Sequence, residues 1–247
     1  MIETRAIVLH AFDYRETSRI VRLATRDAGV IAAIARGARR PRSRFGQGLD
    51  LFTSGSAQVA LHGTGDLHTL ASFEATDSRV GLASSLRHFG AAAALGELCL
   101  RFGTEATPGV HDALESGLDE LARAGAGLVS GLALAAAWRI VAELGFAPAL
   151  DDCALCHRPI DEHEEVRFSH RAGGAVCVGC RSLAPGARAL PAEARSTLRS
   201  WLDGNAVPIA DRATERAHQR LLREFLEEHL ADGKALGAFQ SWERLEP

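Results

Sequence analysis

What this chain has little of narrows its class first. It has five cysteines in 247 residues, and Met1 to His10 show no basic segment leading through a long apolar run to a cleavage site, so neither export nor a disulfide framework is expected. The most apolar stretch, Gly127 to Trp138, runs twelve residues before Arg139 and Glu143 interrupt it, which reads as a buried core helix and not a membrane span. Aromatic residues are 6% of the chain, with one tyrosine, leaving few rings to stack on a flat ligand. There is no internal repeat or low-complexity tract, and a net charge of -3 excludes a chain that is basic throughout. With 47% hydrophobic and 24% charged residues, the length suits one large or two modest domains with a real core.

Four of the five cysteines are placed with purpose. Cys153 and Cys156 form one Cys-x-x-Cys pair and Cys177 and Cys180 a second, twenty residues on. A two-residue spacer lets both sulfurs of a pair face one ion at roughly 2.3 Å, and two pairs complete the four thiolates of a closed, structural zinc site. Haem attachment through Cys153, Cys156 and His157 would need export and would leave the second pair without a purpose. A zinc deaminase is the sharper rival, because His163 and Glu165 precede Cys177 and Cys180. That signature wants proline where Val176 stands, and it leaves Cys153 and Cys156 idle. Cys99, alone in a helical pattern, reads as a small buried hydrophobe.

Charge is unevenly distributed. Residues 1–80 hold eleven arginines against eight acids, so the basic part is at the front. Within it, Arg36, Arg39, Arg40, Arg42 and Arg44 fall in nine residues with no acid among them. A charge run is commonly a solvated loop. All five being arginine favours a nucleic-acid contact, since the planar guanidinium matches phosphate oxygens and stacks on bases.

The periodicity divides the chain. Arg5 to Phe12, Thr17 to Ala24, Val30 to Ala35, Leu51 to Leu61 and Leu67 to Glu74 read as strands, with turns at Asp27 to Gly29 and at residues 63–65. Five short strands with a basic loop after the third fit a small closed barrel such as an OB-fold. From Ser84 the period becomes helical: Leu86, Phe89 and Ala93 begin one helix, and Val110, Leu114, Leu118 and Leu121 mark a second. Leu128 to Phe146 is the central helix, ended by Pro148. Two more close the chain, one from Ala192 to Asp203 stopped by Gly204, the other capped by Asp211 and running to Gly233. A metal segment at about residues 151–185 is interposed, with Val166 to Ser169 as a strand leading to a turn at Gly173 and Gly174, and Trp138, Trp201 and Trp242 are expected in the core. The fold class is therefore α+β, an N-terminal barrel over residues 1–80 and a helical domain with a zinc module over residues 81–247.

In order along the chain, Ile7 to Val21, Asp27 to Gly29, Ile34 to Arg44, Leu51 with Phe52, Glu143 to Pro148 before the first cysteine pair, and Phe168 with Gly173 and Gly174 before the second closely resemble the RecO family of bacterial recombination mediators. The resemblance covers essentially the whole chain. It implies an OB-fold joined to a helical domain with a zinc site, acting in the cytoplasm at the nucleoid in repair of gaps and breaks. It also implies binding to single- and double-stranded DNA, annealing of complementary strands, contact with the single-strand-binding protein, and, with RecR, loading of RecA. It implies no enzymatic activity. Arg36, Arg39 and Arg40 match the family's basic loop and Arg42 and Arg44 extend it, while Arg15, Arg19 and Arg22 either line the same face or solvate a strand.

An annealer must neutralise phosphates while leaving base edges free, which a flexible arginine loop does without reading sequence. Near the barrel only Phe12, Tyr14, Phe45 and Phe52 could stack, so electrostatics should dominate. The acidic tail of the single-strand-binding protein needs an apolar pocket beside a cation, for which Arg139 and Arg101 are the candidates. The alternatives are a zinc-dependent deaminase or nuclease and a zinc-ribbon adaptor of the transcription type.

Overall fold

The computed structural model describes residues 1–45, 48–63, 67–209, 211–230 and 235–245. The alternating segments form five strands, β1 (Ile2–Tyr14), β2 (Ser18–Thr25), β3 (Gly29–Ala35), β4 (Ser54–Ala60) and β5 (Leu67–Asp77). They close into a barrel in the order β1-β2-β3-β5-β4, with β3 and β5 parallel and the other neighbours antiparallel, an OB-like topology as expected. Ala6, Val8, Val21, Leu23, Ala33, Val59, Leu70 and Phe73 point inward and fill it. The opposite face of β1 carries Ile7 and Leu9, which are equally buried because the helices cover them. Gly29 has a φ of 64°, and a Cβ there would lie 2.6 Å from the carbonyl oxygens of Thr104 and Glu105, so only glycine lets the β2–β3 turn approach the helical part this closely. The expected turn at residues 63–65 lies partly outside the described residues, and the expected helix stop at Gly233 lies wholly outside them.

The helices are α1 (Leu86–Phe102), α2 (Pro108–Arg123), α3 (Val129–Glu143), α4 (Ala192–Leu202), α5 (Arg212–His229) and α6 (Gly237–Arg244). Their starts follow capping chemistry: Ser85 accepts from the His88 amide, Pro108 opens α2, and the Asp211 carboxylate accepts from the amides of Ala213 and Thr214 at 2.8 and 2.9 Å. The window Ala126–Glu143 is long and apolar enough to cross a membrane by length and composition, but 61% of it is buried inside the protein and α3 is the core helix. Trp138 on α3 is fully buried against Phe225 of α5 at 5.3 Å, and Trp201 and Trp242 are buried too. Burial pushes the Cys99 thiol up to about 12, as suits an inert core residue. Two expectations need correction. Leu86 and Phe89 are exposed, and α1 instead buries His88, Ala91, Ala92, Leu95, Gly96 and Leu98. Small residues there admit the Phe52 ring of the barrel, which a Cβ at Gly96 would approach to 3.2 Å. The chain also has a further helix, α6, whose Phe239 and Trp242 seal α1.

Between α3 and α4 lies a three-stranded antiparallel sheet of β6 (Val166–Ser169), β7 (Gly174–Val176) and β8 (Arg188–Leu190), in the order β7-β6-β8. Gly174 is forced here as well, since a Cβ would meet the Ala149 backbone oxygen at 2.2 Å. Phe168 of β6 packs on Phe225 at 6.0 Å, so this segment shares the helical core and is not an appendage. Arg195, fully buried on α4, donates to the carbonyls of Asp161 and Glu162 and fastens the segment's outer loop.

Candidate metal centre and nucleic-acid interface

The first cysteine pair sits on a tight loop. Cys153 donates its amide to the Arg158 carbonyl at 2.8 Å and accepts at its own carbonyl from His157, whose φ of 57° turns the chain back. The second pair lies at the end of β7, where the Cys180 amide donates to the Cys177 carbonyl at 3.1 Å. The two loops bring all four sulfurs within 4.8 Å of one another, and the Sγ atoms of Cys156 and Cys177 are 3.9 Å apart. A tetrahedral centre with bonds of roughly 2.3 Å needs sulfurs about 3.8 Å apart, so the donor set fits a metal. Electrostatics agree. Burial works against the Cys153 thiolate, but the amides of Cys177, Cys156 and Leu155 outweigh it and bring its pKa to about 6. The Cys156 sulfur beside it, and then burial, push Cys180 up to about 12. Four sulfurs this close cannot all ionise without a cation among them. Among the described residues the cluster is made by Cys153, Cys156, Cys177 and Cys180 without His163, the ligand that a deaminase would place beside Cys177 and Cys180.

A second group, His111, Asp112 and Glu115 on α2, also converges within 4.8 Å. Its carboxylates are taken: Arg26 grips Asp112 at 3.0 and 3.1 Å, and Arg5 pairs with Glu115. With Arg79, buried and donating to Asp119 at 2.6 Å and to the Phe52 carbonyl at 2.7 Å, these arginines form the seam between barrel and helices.

The arginine loop projects from the end of β3. It is a series of turns, in which the Arg40 amide donates to the Gly37 carbonyl and the Ser43 amide to the Arg40 carbonyl. Arg36, Arg39, Arg40, Arg42 and Arg44 are all exposed, and the loop is anchored by Phe45, buried in the barrel core under the Arg44 guanidinium. Arg39 acts as a brace: its amide donates to Thr17 at 3.0 Å, its guanidinium to the carbonyls of Arg15 and Glu16, and it pairs with Asp13 at 3.2 Å. Arg19 takes the other oxygen of Asp13, also at 3.2 Å. Arg15, Arg36 and Arg40 meet in an open cleft of about 620 Å³ that Glu16, Thr17, Ser18, Ile34 and Gly37 complete. Among the described residues Arg15, Arg36, Arg40, Arg42 and Arg44 make no ion pair. The cleft thus presents three guanidinium groups against one carboxylate.

Other expected positions separate from this cluster. Arg22 reaches toward the Leu100 carbonyl of α1 at 3.5 Å and belongs to the seam. Phe45 and Phe52 are buried, leaving only Phe12 and Tyr14 of the four rings able to meet a ligand. Arg139 lies half-buried beside Gly204, and Arg101 donates to the Ala235 carbonyl at 2.9 Å. A cavity of about 310 Å³ opens elsewhere, lined by Phe168, Leu190, Pro191 and Leu221 together with Arg188, Arg220, Glu193 and Glu224. The role of Asp13 follows from the strand register, since a hairpin turning at residues 15–17 sets Asp13 opposite Arg19.

An OB-like barrel rimmed with arginine and fused to a helical body with a four-cysteine centre defines the class as a two-part barrel and metal-module protein. Comparison with known proteins narrows it. The family described as Recombination protein O N terminal matches residues 1–79, and Recombination protein O C terminal matches residues 83–235. The DNA repair protein RecO of Anaeromyxobacter sp. (strain K) is 34% identical over 260 residues, spanning 100% of this chain and 97% of the relative. Those of Rubrobacter xylanophilus and Myxococcus xanthus are each 34% identical, over 93% and 91% of this chain and 91% of each relative. The chain belongs to the RecO family, a family of DNA repair and recombination.

Proposed function

We propose that this protein is a recombination mediator that binds and anneals single-stranded DNA and, with RecR, promotes loading of RecA onto DNA coated by the single-strand-binding protein. Residues 1–80 serve as the DNA-binding domain and residues 81–247 as a helical domain, in which Cys153, Cys156, Cys177 and Cys180 hold one structural zinc. The observation that carries the reading is the rim cleft, where Arg15, Arg36 and Arg40 converge without an acidic partner for each. Such a site neutralises phosphates and carries no sequence information, which is what bringing two complementary strands together requires. Arg42 and Arg44 extend the track, and Arg19 and Arg39 contribute through Asp13, which fixes their positions. Duplex DNA offers the same phosphates and binds at the same rim.

The protein acts without an enzymatic step in this reading. A centre filled by four thiolates leaves no open position for an activated water, so the metal holds the module to the helical core. The protein works in the cytoplasm at the nucleoid, where its partners are. RecA filament formation on gapped DNA coated with the single-strand-binding protein is the test: filaments should form faster with this protein and RecR together than with RecR alone, and equal rates would remove the mediator function.

A further inference from the structure

The outer face of the barrel beside the rim cleft carries an apolar row across three strands, exposed at Phe12 and half-buried at Ile20 and Ile34. Ala11, Val21 and Ala33 turn into the barrel, so their neighbours Phe12, Ile20 and Ile34 turn outward. The register aligns those three in one row, Phe12 opposite Ile20 and Ile20 opposite Ile34. Phe12 is 44% exposed, its ring 5.6 Å from that of His10, which is a large aromatic surface to leave in water. In the next row half-buried Tyr14 stands opposite buried Ser18, with the Arg15 guanidinium 5.3 Å from the Tyr14 ring. The strip runs directly into the cations, because Ile34 lines the same cleft as Arg15, Arg36 and Arg40. Asp13, the nearest acid on β1, is already engaged by Arg19 and Arg39.

We infer that this strip is a stacking platform for unpaired nucleobases, with Phe12 as its principal ring, and that it makes the barrel prefer single strands to duplex. The occupant follows from complementarity. The rim takes a polyanion, and the strip beside it takes flat apolar faces; a single strand carries both on one chain, while a duplex keeps its base faces stacked inside. The inference rests on the proposed DNA-binding reading and adds to it a component of affinity that salt does not screen. The scarcity of rings near the barrel favours electrostatics as the dominant part, and burial of Phe45 and Phe52 leaves Phe12 and Tyr14 to supply the stacking.

The test is fluorescence anisotropy of the full chain with three probes of equal length: a thymidine oligonucleotide, the same backbone with abasic sites, and a duplex. Phe12 is on the surface, so Phe12→Ala should fold, and an unchanged melting temperature checks this. It should weaken binding of the thymidine strand by roughly 5- to 150-fold, the range for losing one base–aromatic stack. The salt slope and the affinities for the abasic strand and the duplex should stay at wild-type values, and Phe12→Tyr should restore thymidine binding. Unchanged thymidine affinity, or an equal loss on all three probes, overturns the platform. If Phe12→Ala is silent while Arg36→Ala with Arg40→Ala still flattens the salt dependence, the platform alone fails. If neither variant alters DNA binding, the DNA-binding reading of the barrel fails with it. Normal binding to every probe with loss of a protein partner would assign the strip to that partner.

Discussion

Alanine at both Arg36 and Arg40 removes two of the three guanidinium groups in the rim cleft and leaves Arg39 to brace the loop. Arg39 is a poor choice for such a test, because losing it would release the backbone contacts to Thr17, Arg15 and Glu16 along with a charge. Five arginines of the rim lack an acidic partner among the described residues, Arg15, Arg36, Arg40, Arg42 and Arg44. At ~0.7 in log–log salt slope per phosphate, they set a ceiling of about -3.5 for single-stranded DNA. The double substitution should make the slope shallower by about 1.4, so its affinity penalty at about 50 mM salt should exceed that at about 200 mM by roughly sevenfold. Sequence preference should not change, since phosphate contacts carry none. Anisotropy titrations of a thymidine oligonucleotide across that salt range measure the slope, and a thermal melt confirms folding. A folded double variant with the wild-type slope would return the loop to a solvated run of charge.

The metal can be counted: protein purified without chelators should contain one zinc per chain by elemental analysis, and Cys153→Ser should lose zinc and melting temperature together. Such sites contribute an apparent ~10 to 16 kcal/mol in isolated zinc-finger peptides, and here the loss should spread through Phe168 and Phe225 into the helical core; absence of zinc from the native protein would sink this. Burial depresses the pKa of His218 from 6.5 to about 4. The unfolded chain therefore takes up the proton first, so this residue's contribution is intact above about pH 6.5 and declines as pH falls toward 4, by an upper bound on the order of 3 kcal/mol. His218→Leu should flatten the denaturant midpoint over that range, and an unchanged slope would refute the assignment. For the acidic tail of the single-strand-binding protein, Arg139→Ala and Arg101→Ala should weaken a tail peptide without affecting naked DNA; if both are silent, Arg220→Ala tests the cavity between α4 and α5.

Much of this architecture is legible in the sequence because it depends on local rules. Alternation fixes the strands, and once the strands are placed, inward Val21 and Ala33 imply outward Ile20 and Ile34. The spacing of Cys153, Cys156, Cys177 and Cys180 predicts their convergence because a two-residue spacer leaves little geometric choice. What stays hidden depends on distant partners. Leu86 and Phe89 look like a core face, yet close approach of Phe52 makes alanine and glycine the buried residues of α1. Arg22 and Arg39 are chemically the same as Arg36, and only tertiary placement sends one to α1, another to Asp13 and leaves the third open. The short helix α6 is hard to read from sequence although Leu236, Phe239 and Trp242 recur at three-residue spacing, because eight residues give a weak periodic signal.

The most direct test of the central claim is annealing of two complementary oligonucleotides, each coated with the cognate single-strand-binding protein, followed by loss of donor fluorescence as the strands pair. The wild-type protein should accelerate pairing well above the rate of the coated strands alone, with Arg36→Ala and Arg40→Ala together slowing it. Coated strands that pair no faster with the wild-type protein than without it would contradict the account.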